Sequence, residues 1–169
     1  GIGTNIMYAI EGTVRNVFAT DKDNNINFNA LQAIGRKNDS TASANDFSEI
    51  DTILNMSILN DSITNLFSID GTSPKQSKSL VVKNQTIGFV PYINSTDNSS
   101  FITGLLWDTS DDVSANLEFD STDREELIIV SPVVNSGQGK YGICDYEILI
   151  PALLRSQQAG GTTVAFYLE

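Results

Sequence analysis

Apolar and polar positions alternate with a period of two along much of this chain, the mark of half-buried β-strands rather than helices. The clearest departure is Glu126–Val134, read Glu-Leu-Ile-Ile-Val-Ser-Pro-Val-Val, the longest apolar run present. It is β-branched from Ile128 to Val130 and too short to span a membrane, so it reads as a strand buried on both faces. A second run, Cys144–Leu154, follows a glycine-bearing turn at Ser136–Lys140. The two are expected to pair as a central hairpin.

Elsewhere the alternation is regular. Ile6, Tyr8, Ile10, Gly12, Val14 and Phe18 stand in step, then Ile26, Phe28, Ala30, Gln32 and Ile34 after the Asp21–Asn25 turn. That pattern predicts an opening hairpin. Gly35–Asn45 is a polar loop. Thr52–Leu59 and Ile63–Ile69 are read as strands on their β-branched content, with Asp70-Gly71 as a turn. Leu80–Val82 and Thr86–Ile93 are strands parted at Asn84, and Pro91 places the second near an edge or bulge. Phe101–Trp107, Ala115–Phe119 and Thr162–Leu168 complete the set. Eight to ten short antiparallel strands with polar turns define one all-β domain over residues 1–169, a β-sandwich of immunoglobulin-like kind.

Composition narrows the function more than it defines it. A formal charge of −11 opposes nucleic acid and anionic membrane surfaces alike, so neither is an expected partner of this domain. Histidine is absent, which removes the Ser-His-Asp and Cys-His nucleophilic arrangements and the commonest zinc ligand. No enzymatic activity is expected. Cys144 is the single cysteine, so no disulfide forms within the chain; its apolar neighbours suggest a small core residue.

Three features bear on function. Asn-X-Ser/Thr triplets occur at Asn38, Asn55, Asn60, Asn84, Asn94 and Asn98. With 16 Asn and 32 Ser or Thr, roughly three would arise by chance, so six is an excess that favours N-glycosylation of an extracellular, cell-surface protein. Two acidic loops, Asp21–Asn25 and Asp108–Asp112, offer oxygen ligands suited to a hard cation. Asp108, Asp111 and Asp112 are the better set, and at most one weakly bound Ca²⁺ is expected there; an Asx-rich turn serving its own backbone is the commoner role. No other cofactor is expected. Trp107 and Tyr92 are candidate carbohydrate platforms, against the commoner placement of such rings in a core.

The order of features resembles the outer globular domain of archaeal flagellins (archaellins) and related archaeal type IV-pilin-like filament proteins. The resemblance rests on short motifs spread over most of the chain. Glu11-Gly-Thr-Val-Arg-Asn-Val-Phe leads to Ser48-Glu-Ile-Asp-Thr-Ile-Leu. Trp107-Asp-Thr-Ser-Asp-Asp is followed by Asp123-Arg-Glu-Glu-Leu-Ile-Ile-Val, Glu147-Ile-Leu-Ile-Pro and Thr163-Val-Ala-Phe-Tyr-Leu. It implies a structural subunit of an extracellular filament, an archaellum or pilus, serving motility or adhesion. The family's apolar N-terminal helix is not in these residues, so copies are expected to polymerise through a segment preceding Gly1. The alternative is a glycan- or receptor-binding attachment head of a virus or microbial surface protein, with the same β architecture and aromatic-bearing loop tips.

Overall fold

A computed structural model describes residues 14–20, 26–37, 45–97, 99–122, 125–151 and 165–168. Its centre is β6 (Leu127–Pro132), flanked by β5 (Ile102–Asp108) on one side and β1 (Asn16–Thr20) on the other. Ile129 faces Leu105 across one seam and Ala19 across the other. Ile129 and Leu127 enter one apolar cluster, Ile128 and Val130 the opposite one. Both faces are covered, which is why the run is apolar without interruption. Beyond β1 lies β9 (Ala165–Leu168); beyond β5 lie β2 (Leu31–Ala33) and the end of β4 (Gln85–Asn94), at successive positions along the strand. Every described pairing is antiparallel.

A second layer comes from β4 itself. Its first half pairs with β3 (Ser77–Val82), and the register shifts between Lys78 and Leu80 where Phe89 adopts φ 57°. The bend carries the β3–β4 ribbon across one face of the sheet, and Pro91 follows this bulge. Leu80, Val82, Ile87 and Val90 thereby pack with Phe18, Leu106, Ile128 and Val130. The Asn16 amide secures the ribbon by donating to the Val81 carbonyl at 2.9 Å. The opposite face is covered by α1 (Asp46–Ile53) and α2 (Ile63–Phe67), packed with Trp107, Phe119 and Ile129. The molecule is therefore mostly β, all-β in class and sandwich-like, with two short helices among the described residues. None of its helices is long and apolar enough to cross a membrane among those residues.

Several local expectations are corrected. Among the described residues the opening hairpin is not formed: β1 has both edges occupied by β6 and β9, and β2 pairs with β5, Ala33 opposite Leu106; residues 6–13 of the expected first strand lie outside them. For the same reason the central hairpin fails, since β6 has no edge left for Cys144–Leu154. Among the described residues of that region only β8 (Gly142–Cys144) is a strand, in a small ribbon with β7 (Gly137–Gly139). Thr52–Leu59 is not a strand. Phe47, Ile50 and Leu54 are spaced for one helical face, and all three are buried. Burial of that stripe outweighs the weak preference of β-branched residues for strands. Ile63–Phe67 is likewise helical, and Ala115–Phe119 forms turns organised by Asp112.

Candidate functional site

Asp108 ends β5, almost wholly buried, and both of its oxygens are engaged. Oδ2 accepts from the Asn27 N–H at 2.7 Å; Oδ1 accepts from the Ser110 N–H at 2.9 Å and its hydroxyl at 2.6 Å. This caps a 3-10 turn over Thr109–Asp111. Asp112 turns the other way. Its Oδ1 accepts from the Ala115 N–H at 2.7 Å and its Oδ2 from the Leu117 N–H at 2.8 Å. Ala115 and Leu117 have φ of 55° and 59°, left-handed conformations that side-chain-bearing residues adopt only when held there. The carboxylate of Asp112 is what holds them. Asp111 lies between in the turn. Among the described residues, no three or more His, Cys, Asp or Glu side chains are gathered as a metal site requires. The other acidic loop, Asp21–Asn25, lies outside the described residues.

The triplet asparagines differ once the structure is known. Asn55, Asn60, Asn84 and Asn94 are exposed; Asn38 and Asn98 lie outside the described residues. Asn55 closes α1 at φ 54°, and Lys83-Asn84 forms the β3–β4 turn at φ 42° and 64°. Asparagine tolerates that conformation, which is a backbone reason for its presence at both places. The hydroxyl of each triplet separates the cases. Ser57 and Thr86 are exposed beside Asn55 and Asn84. By contrast, Ser62 is buried and accepts from the Asn65 N–H, and the Thr96 hydroxyl donates to Glu147 at 2.8 Å. Asn84 thus presents the whole triplet at the surface, whereas at Asn55 the middle residue, Met56, is buried in the core.

The aromatic candidates divide similarly. Trp107 is completely buried, edge-on to Phe119 with ring centroids 6.1 Å apart, and serves the core. Tyr92 is half-buried, with the Lys78 ammonium 5.9 Å from its ring centre. Cys144 is half-buried on β8 rather than in the core. Partial burial pushes its thiol pKa up, as do the Glu147 and Asp145 carboxylates.

Sequence reasoning missed the carboxylates that build the fold. On α1, Asp46 accepts from the Gly35 N–H at 2.6 Å and the Phe119 N–H at 3.4 Å. One turn on, Glu49 accepts from the Ser121 N–H at 2.9 Å. Asp51 accepts from the Ile63 and Thr64 N–H groups at 2.7 and 2.9 Å. Three acids on eight residues thus tie loops far apart in sequence, and burial pushes Asp46 up to about 7. The local signal for Asp46 and Glu49 is acidic residues opening a helix; Asp51, on the last turn, has none. Glu147 plays the same part for the segment after β8. Its carboxylate accepts from Thr96, Ser99 and Lys140, and its carbonyl from the Ser95 and Ser131 hydroxyls at 2.6 and 2.8 Å. The Thr96 hydroxyl is the main cause of its lowered pKa. A small apolar cleft of about 200 Å³ opens between α2 and Leu149–Pro151.

Fold and site together define an acidic, sandwich-like β-domain in which Asp46, Asp51, Asp108, Asp112 and Glu147 bind backbone N–H groups and the Asn84-Gln85-Thr86 triplet faces outward. No protein-family model, curated protein or solved structure matches the chain.

Proposed function

We propose that this chain is the outer globular domain of a structural subunit of an extracellular surface filament, archaellum- or pilus-like, and that it has no enzymatic activity. The observation that carries this reading is the exposure of the complete Asn84-Gln85-Thr86 triplet, with Asn55 and Ser57 also exposed, on a domain that contains no histidine. The engagement of Asp108 and Asp112 by backbone N–H groups of Asn27, Ser110, Ala115 and Leu117 supports a structural role for these acids. The motif order shared with archaellins supports the filament over other surface proteins. Copies would be held together mainly through a segment preceding Gly1, with this domain facing water.

Immunogold electron microscopy of the source cells, with antibody raised to this chain, tests the reading. Label should run along the outside of surface filaments, and glycopeptide mass spectrometry should find hexose-bearing Asn84. Label on virions or confined to the cell envelope would overturn it. One observation favours the attachment-head alternative: Tyr141 and Ile143 stand almost fully exposed on the β7–β8 ribbon. Saturable binding of the chain to host cells, lost in Tyr141→Ala, would support that alternative.

A further inference from the structure

The charges of this chain are sorted rather than mixed. Residues 71–96, which include β3 and β4, carry Lys75, Lys78 and Lys83 and no acid. Residues 108–122 carry Asp108, Asp111, Asp112, Glu118 and Asp120 and no Lys or Arg. In a chain of charge −11 the ribbon is thus a locally positive stretch and 108–122 a negative one, with Lys37 paired to Glu118 of the latter. The three lysines are exposed, and two are steadied against aromatic rings: Lys78 over Tyr92, and Lys83 over Phe28 at 4.4 Å. Lysines on an edge strand also deter strand-to-strand pairing. That accounts for Lys78 on β3 but not for the absence of acid over the whole ribbon.

Apolar groups accompany both charges. Val81 and Phe89, 44% and 48% exposed, lie on the ribbon beside the lysines, and Val113, 79% exposed, stands at the tip of the acidic loop. The loop is held in shape by the bonds to Asp108 and Asp112, so Val113 is presented on a braced turn. We propose that the lysine-bearing face of the β3–β4 ribbon docks the acidic 108–120 loop of a second copy of this chain. The molecule carries both halves of the match in charge and in apolar surface. The two halves are different surfaces, so the contact is head-to-tail and repeats into an open row. Exposed ion pairs are individually weak, so the contact forms at the high local concentration of tethered neighbours and not in dilute solution. The proposal rests on the filament reading only for that concentration.

Zero-length carbodiimide cross-linking tests it. Isotope-labelled and unlabelled chain are mixed at about 1 mM in low salt, treated, and digested for mass spectrometry. Cross-links joining Lys78 or Lys83 to Asp111, Asp112 or Asp120 across the two isotopes are expected, falling several-fold in about 0.5 M salt. The Lys37–Glu118 pair, 3.1 Å apart within one copy, should cross-link in every sample without isotope mixing, certifying fold and chemistry. The Lys78→Glu, Lys83→Glu variant should lose the mixed cross-links, and mixing it with Asp111→Lys should restore them in reversed polarity. Mixed cross-links that are absent, or that survive salt and charge reversal, would overturn the proposal. Their absence together with ribbon-dependent retention on a sulfated polysaccharide would assign the lysines to an anionic glycan instead. Immunogold labelling is indifferent to these results, so the two readings fail separately.

Discussion

The carboxylate of Asp51, on the last turn of α1, accepts the backbone N–H of Ile63 at 2.7 Å, so that one helix caps the next. The neighbouring Thr64 N–H is bound at 2.9 Å by the other oxygen, and the Ser62 hydroxyl takes the Asn65 N–H. A five-residue helix has no stability of its own in water. Here its open N-terminus is saturated from outside, and Ile63 and Phe67 are buried against the sheet.

Asp51→Ala should therefore destabilise the domain by ~2–3 kcal/mol, because two donors at a buried helix end lose their acceptor. Asp51→Asn, which keeps one acceptor oxygen, should cost about half as much. Urea unfolding followed by tryptophan fluorescence measures both. Equal stability of Asp51→Ala and the parent chain would show that α2 is held by packing alone.

Asp46 sets a pH dependence. Its carboxyl titrates near 3.8 in the unfolded chain and at about 7 in the fold, burial being the main cause. The folded state therefore holds the proton more tightly. The associated stability is fully present below 3.8 and is lost as pH rises through about 7, ~4 kcal/mol over the whole window. Melting temperature should fall between pH 5 and pH 8, and Asp46→Asn should flatten that fall. At the acid end the sign reverses. Asp70, held at about 2 chiefly by the Ser73 N–H, contributes stability above 3.8 that is lost as pH drops toward 2. Glu147, also lowered, acts in the same direction.

Gly35 has φ +78°, and a Cβ there would lie 2.7 Å from the Phe47 ring. Gly35→Ala combines a strained backbone with displacement of a core aromatic, so a loss of ~2–4 kcal/mol is expected. Calorimetry checks it. Shortening the ring in a Gly35→Ala, Phe47→Leu double variant should recover part of the loss.

The acidic loop should behave as a braced turn. Asp112→Ala frees two N–H groups and relaxes Ala115 and Leu117 from left-handed backbone, at a cost of ~1–2 kcal/mol. Replacing Leu117 by Gly should be nearly neutral, since glycine adopts φ 59° without strain. Thermal scans in Ca²⁺ and in chelator should coincide. A rise in melting temperature with Ca²⁺ that disappears in Asp112→Ala would instead establish a cation site.

Ile129 stands at the crossing of two strand pairings with Leu105 and Ala19, and its side chain is buried in the helix-side cluster. Ile129→Asp places an unpaired charge there and should abolish cooperative unfolding, seen as loss of the near-ultraviolet dichroism of Trp107.

By itself the sequence determined what depends on near neighbours. An apolar run at Leu127–Val130 requires cover on both sides, and β6 has it. Lys83-Asn84 between two alternating runs requires a tight turn, and β3 and β4 meet there. The absence of histidine and the excess of acid are equally independent of folding. Tertiary structure decided everything that is a competition between distant partners. Whether β1 pairs with β2 depends on whether β6 and β9 already occupy its edges, and β6 lies more than a hundred residues away. Residues 46–53 contain both β-branched side chains and a helical stripe; the sheet face that buries Phe47 and Ile50 selects the helix. The same holds for the carboxylates. Asp46, Asp51 and Asp108 look like surface charge in a string of letters, and only the loops that bring Gly35, Ile63 and Asn27 against them make them internal acceptors. A backbone N–H without an acceptor is costly once buried, and which one needs a carboxylate is known only when the chain has closed around it.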